Sequence, residues 1–152
     1  MSVAPPADVP PAQVGAHVIE QEAADLLTVR MHGEISAEEA RQLIVIDRQQ
    51  AKRNGYSLML IDCTHMATVS SSVRKASFEE IKRHHGYVGT TAMFGATGVV
   101  AWLLKLMLRG FALLATHVDD EVQMFSTEAQ ARAFLLRRRQ QRQLECGTGP
   151  SS

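Results

Sequence analysis

Cysteine is scarce in this chain, with two in 152 residues, and the pair differ in setting: Cys63 follows an apolar run and Cys146 lies in a polar tail. A disulfide framework is excluded as the organising device, and a reducing compartment is the expectation. Net charge is missing too. Sixteen basic and sixteen acidic side chains cancel, so no global field draws the chain to nucleic acid, and a charge-driven partner must read a local patch. The opening MSVAPPADVPPAQVG has neither a basic start nor a continuous apolar stretch. It does not have the form of a secretory signal, and cytoplasmic residence is expected. The chain lacks a phosphate-cradling glycine loop, a dinucleotide fingerprint and a carboxylate pair in a turn. Cys63 with His65 is no nucleophile and base pair, because a lone cysteine at a strand end behaves as a small buried hydrophobe. These absences point away from an enzyme and from any cofactor.

What is present suits one domain with tails. Residues 1–15 are rich in Pro and Ala, and residues 140–152 are mostly Gln, Arg, Gly and Ser. Neither tail can bury enough surface to offset its chain entropy, so both are expected to be disordered, leaving a folded body over 16–139. Within it the periodicities alternate. Residues 17–21 and 26–31 read as strands joined by a turn at 22–25, with Gly33 closing the pair. Ser36 followed by Glu39 fits a capping box, and the helix it opens runs to Asn54-Gly55. Strands follow at 58–61, 90–94 and 122–125, a polar amphipathic helix at 73–85, and a last helix from Ser126 to about Arg139. The apolar 58–61 run is expected to be covered on both faces. The fold class is therefore α/β: a mostly parallel sheet of about five strands, with an N-terminal hairpin and about four helices.

The segment LMLIDCTHMATVSSSVRK, residues 58–75, joins an apolar strand ending at Asp62 to a helix opened by Ser70, Ser71 and Ser72. Hydroxyls there sit beside free backbone N–H groups, where an anion or phosphate is stabilised. Simple capping accounts for the same serines, and both readings stand. Asp62, Cys63 and His65, with His84 or His85 arriving from the next helix, lack the spacing of a metal site, so no metal is expected. The position of His84 and His85 near a helix C-terminus accounts for them.

The most hydrophobic stretch is GVVAWLLKLMLRGFALLATHV, residues 98–118. It approaches a membrane span in length, but Lys105 and Arg109 near its middle make insertion costly. One reading is a core helix with its cations in solvent. The other is a helix with more apolar surface than one sheet face can cover, part of it meeting lipid, a hydrophobic ligand or a second subunit. On that reading a cavity or groove lies beneath residues 98–114, lined by Trp102, Leu106, Met107 and Phe111, while Lys105 and Arg109 contact the membrane or an anion. Arg132, Arg137, Arg138, Arg139 and Arg142 form the one concentrated basic patch. A solvated helix end explains it, and it could also add a second electrostatic signal for peripheral attachment. Without interleaved aromatics it is a poor nucleic-acid surface.

The order of elements, the strand ending in Asp62, the serine run and the closing VQMFSTEAQARAFL together resemble the STAS fold, and most of all its SpoIIAA-like branch. The resemblance covers about residues 16–138. It implies two uses. In anti-sigma-factor antagonists of this kind the turn carries Asp-Ser-Ser, whose first serine is phosphorylated by a partner kinase. Here Ser70 stands in the place of the aspartate and Ser71 in that of the phosphorylated serine, while the aspartate and the following glycine are missing. The resemblance also implies a mobile helix at 98–114 and association with lipid-like ligands or membrane. The expected function is therefore a non-enzymatic module for a hydrophobic ligand or a peripheral membrane surface, with a partner-switching regulator controlled at Ser70–Ser72 as the alternative and a homodimer as a further option.

Overall fold

The computed structural model describes the backbone at residues 12–83, 88–114 and 120–147, and the side chains at 12–83, 88–110 and 121–145. The order is β1 (Gln13–Val14), β2 (His17–Ala23), β3 (Leu26–Gly33), α1 (Ala37–Asn54), β4 (Ser57–Met66), α2 (Ser71–Arg83), β5 (Gly89–Phe94), α3 (Gly98–Leu114), β6 (Asp120–Phe125) and α4 (Glu128–Gly147). The strands lie in one sheet in chain order, antiparallel through β1–β2–β3 and parallel from β3 to β6.

Three boundaries differ from the sequence reading. The two-residue β1 adds a sixth strand inside the expected tail, because Gly15, at φ 59°, turns the chain back and lets Val14 bury. The expected C-terminal tail is helical as far as Gly147, and its one arginine, Arg142, pairs with Glu145. Residues 1–11 and 148–152 lie outside the described residues. The third difference is at β4, which does not stop at Asp62. Its partner β5 ends where Phe94 meets Asp62, but β3 continues alongside through the pairs His32 with His65 and Gly33 with Met66. The polar CTH segment is thus strand paired on one side.

The α1 helix follows its sequence signals. Ser36 Oγ accepts from Glu39 N at 3.1 Å, and Gly55, at φ 82°, closes the C-terminus by donating to Ala51 O. Only half of the capping box forms. The Glu39 carboxylate turns instead to the fully buried His17, whose Nε2 lies 3.2 Å from Oε2 and whose Nδ1 accepts from His32 N.

Adding parallel strands in chain order makes each right-handed crossover fall on the same side. Helices α1, α2 and α3 therefore share one face with Leu27, Val29, Met59 and Met93, while α4 takes the other with Leu58, Leu60, Ala92 and Phe94. Both faces of the 58–61 run are covered, as a central parallel strand requires. Each leucine buried there contributes roughly 1.5–3 kcal/mol relative to exposure.

Candidate functional site: a cavity beneath α3

Between the sheet and helices α1, α2 and α3 lies a cavity of about 400 Å³. Met31, Met59, Ile61, Met93 and Val122 form its floor, Leu43, Ile44, Val73, Phe78 and Ile81 its walls, and Leu104, Met107 and Leu108 its roof. Five of the chain's seven methionines line it, counting Met66 and Met107 with the three on the floor. Unbranched, polarisable thioethers let such a lining fit more than one ligand shape. The roof stays close to α2 because Gly110 has no side chain: a Cβ there would stand 3.0 Å from Phe78 Cζ.

The phase of α3 decides which of its residues face the cavity. Met107 lines it as expected, but Trp102 and Leu106 do not; they are 62% and 44% exposed on the opposite side, beside exposed Val99. The reason is angular. At about 100° per residue, Trp102 and Leu106 share the face of Lys105 and Arg109, and the charges hold that face in water. Phe111 lies in α3, and its side chain is outside the described residues. The outer face of α3 is thus a strip of Val99, Trp102 and Leu106 edged by two cations. Among the described residues no helix is long and apolar enough to cross a membrane.

At the serine turn the structure displays a cap. Ser70 Oγ accepts from Val73 N at 3.3 Å and Ser70 O accepts from Arg74 N, so Ser70 precedes α2 and Ser71 is its first residue. Ser72 Oγ sits 2.9 Å from Ser70 Oγ, and Ser71 is exposed. Asp62 is not brought to the turn. Its carboxylate accepts from Arg30 Nη1 at 3.1 Å and from Thr64 N at 2.9 Å, and among the described residues it shares no hydrogen bond with the serines. Burial pushes its pKa up, but the Thr64 and Arg30 hydrogen bonds outweigh burial and leave it below the usual value. Cys63 is buried, and burial together with the Asp62 charge pushes its thiol up to about 12, which makes it unreactive. His65 stacks on His32 with centroids 5.8 Å apart. No group of three potential ligands is placed to hold a metal among the described residues, and His84 and His85 lie outside them.

The arginine patch is where the sequence reading needs most correction. Arg132 forks onto Glu22 with both contacts at 2.8 Å, Arg139 onto Asp25 at 2.9 and 2.8 Å, and Arg138 onto Glu121 at 2.6 and 2.8 Å. Arg142 pairs with Glu145 at 3.1 Å, which leaves Arg137 exposed. Fork geometry matches carboxylates bidentately, so these side chains clamp α4 to the sheet instead of forming a free basic surface. Sequence reasoning also missed the contributions of α1 and α2 to the cavity. The spacing of Val73, Phe78 and Ile81 on a polar helix was the available signal.

The sequence matches the SpoIIAA-like family over residues 26–136. No curated protein matches it. Among solved structures, the anti-sigma factor antagonist SpoIIAA in its unphosphorylated form is similar, with a TM-score of 0.54 and 11% identity over 80% of this chain and 98% of that one. An uncharacterised protein of the DUF3478 family from Shewanella loihica PV-4, with a SpoIIAA-like fold, gives 0.50 and 18% over 79% and 92%. At these identities the likeness is one of fold. The six-stranded sheet with its N-terminal hairpin and four helices, matched over most of its length, places the chain in the SpoIIAA-like family.

Proposed function

We propose that this protein is a non-catalytic module that takes a hydrophobic, lipid-like small molecule into the cavity beneath α3 and meets a membrane peripherally with the outer face of that helix. The cavity carries the reading. Its volume of about 400 Å³ falls within the ~300–1,000 Å³ range of ligand pockets, and its lining is dominated by aliphatic and thioether groups. An empty void in a protein forfeits dispersion contacts on one side of every lining atom, and an apolar ligand restores them. The exposed strip of Val99, Trp102 and Leu106, with Lys105 and Arg109 beside it, supplies both the apolar and the electrostatic half of interfacial attachment.

Solvent extraction of the purified protein followed by mass spectrometry should release one apolar species in near-stoichiometric amount. No extracted species, together with no thermal shift on addition of lipid extracts, would overturn the ligand reading. Lys105→Glu combined with Arg109→Glu should weaken binding to anionic liposomes by about 1 kcal/mol or more per cation reversed. Equal sedimentation of both proteins would refute the membrane contact, and a dimer seen by light scattering would assign the strip to a second copy instead.

One observation favours the partner-switching alternative: Ser71 is exposed at the first position of α2, where an added phosphate would be stabilised by the helix N-terminus and would place about two negative charges on the surface. Ser71→Asp should then release a partner that Ser71→Ala retains. Equal recovery of that partner in pull-downs would leave capping as the role of the turn.

A further inference from the structure

We infer that the ligand is an uncharged single-chain lipid of the class of long-chain alcohols, its polar group no larger than a hydroxyl or carbonyl, and that the cavity rejects the corresponding carboxylates and amines. This rests on the cavity being a ligand site, as proposed above, and adds the charge and polar group of its occupant. The lining holds four ionised side chains: Asp47 and Arg48 from the second half of α1, Lys82 from the last turn of α2, and Glu121 from the start of β6. Two carboxylates and two cations cancel within the lining itself. Each is also already engaged by the protein. The Arg138 fork donates to both Glu121 oxygens from the α4 side, and Asp47 Oδ1 accepts from Ser57 Oγ at 2.7 Å. Arg48 and Lys82 likewise have interaction partners, so neither is a free cation awaiting a counter-ion.

An ionised head placed in such a site leaves water and gains no counter-charge, which costs more than its remaining hydrogen bonds return. A neutral head escapes that cost. The lining also has the groups a neutral head needs, because its uncharged polar side chains are two hydroxyls, Ser77 and Thr91. Ser77 is buried on α2, one turn after Val73 and one turn before Ile81, and Thr91 lies on β5 in register with Met59 and Val122. Each hydroxyl donates and accepts, so an alcohol or carbonyl oxygen finds a partner without a charge on either side. Beyond them the lining is apolar. Ile35, Met66, Val69 and Val73, where β3 and β4 finish, carry no polar side chain and suit an alkyl tail. A volume near the lower limit of ligand pockets fits one chain rather than two.

The test uses the full chain, stripped of bound lipid by organic extraction and refolded, with 1-dodecanol, dodecanoate and dodecylammonium competing against a fluorescent apolar dye. At about pH 8, where a free carboxylic acid is ionised, dodecanol should bind at least about tenfold more tightly than either ion. Lowering the pH toward about 6 should raise the affinity for dodecanoate by about tenfold per unit, because only its protonated form enters, and leave dodecanol unchanged. Ser77→Ala should weaken dodecanol about fivefold, the loss of one hydrogen bond, with the dye bound as before. Asp47→Asn leaves the lining with an excess of cations and should shift the preference severalfold toward dodecanoate; a variant that folds with its preference unchanged would overturn charge balance as the cause. Should Asp47→Asn fail to fold, the three probes on the wild-type protein still decide. Equal or tighter binding of either ion would overturn the neutral-ligand inference and leave the cavity reading standing. Exclusion of all three probes and of the dye would overturn both.

Discussion

Helices α3 and α4 both adjoin the last strand, yet they are held in opposite ways. α3 is built from the most hydrophobic stretch of the chain, and among its described side chains only Leu104 is fully buried. α4 is rich in Arg and Gln, yet Ala131, Phe134 and Leu135 are all buried and three arginine forks tie it to β6 and to the β2–β3 hairpin. The more apolar helix is thus the less anchored. Docking depends on whether an apolar stripe matches the surface it meets and whether its charges find partners. α4 presents a stripe at i, i+3 and i+4 that its sheet face fills, whereas α3 is apolar on nearly every side and the sheet can take only one. Its surplus stays outside, and its inner face stands over a void. Local opening is expected to concentrate where few buried contacts hold an element, which places conformational change at α3.

The largest expected effect tests the anchored side. Phe134 packs against Phe125 with ring centroids 5.2 Å apart, beneath the Arg138 guanidinium. Phe134→Ala should cost roughly 3–5 kcal/mol of unfolding free energy in urea titrations. A loss below about 1 kcal/mol would erase the contrast between the two helices.

Arg139→Ala should cost less, about 1–3 kcal/mol, because it leaves the Asp25 carboxylate short of a partner at a side chain only 13% exposed. Tyr56, whose hydroxyl donates to Asp25 at 2.6 Å, would remain its support. Burial and that same carboxylate push the Tyr56 pKa up to about 12. The variant should therefore lose stability without a change in the exposure of α3, as hydrogen exchange of α3 would report.

Acid should loosen α4 before neutral-pH denaturants do. The Arg132 hydrogen bond lowers Glu22 from 4.5 to about 2, with burial opposing. A folded-state pKa below the unfolded one gives stability that is complete above about 4.5 and lost as pH falls toward 2. Asp25 and Glu121 are shifted the same way, Asp25 because Tyr56 and Arg139 outweigh burial, and Glu121 chiefly by Arg138. The urea midpoint should decline across that window, and Glu22→Gln should flatten the decline. A slope identical in wild type and variant would show that the fork contributes nothing.

The smallest effect on stability belongs to α3. Trp102→Ala removes a side chain that is mostly in water, and unfolding free energy should change by about 0.5 kcal/mol or less while liposome binding falls. A stability loss of several kcal/mol would mean that the outer face is packed, and the comparison with α4 would fail.

Much of the fold was legible locally. Ser36, Glu39 and Gly55 marked the ends of α1, because caps are satisfied by side chains and backbone within a few residues. The 58–61 run announced a strand covered on both faces, and the alternation of strand and helix announced a parallel sheet. The site was legible only in part. Placing a cavity under 98–114 followed from excess apolar surface, but selecting Trp102 and Leu106 to line it required the phase of a helix that is apolar almost all round. Lys105 and Arg109 were the residues that could have set that phase.

By itself the sequence determined the order of elements, the caps and the family, since these depend on periodicity and on contacts close along the chain. Tertiary structure alone decided what the arginines of α4 do, since Arg132 and Glu22, like Arg139 and Asp25, meet only once the hairpin and the last helix are brought together. It also decided the cavity. A void is a property of the distances between elements, set by how far α3 stands from the sheet with Gly110 against Phe78, and no residue pattern along one segment encodes that gap.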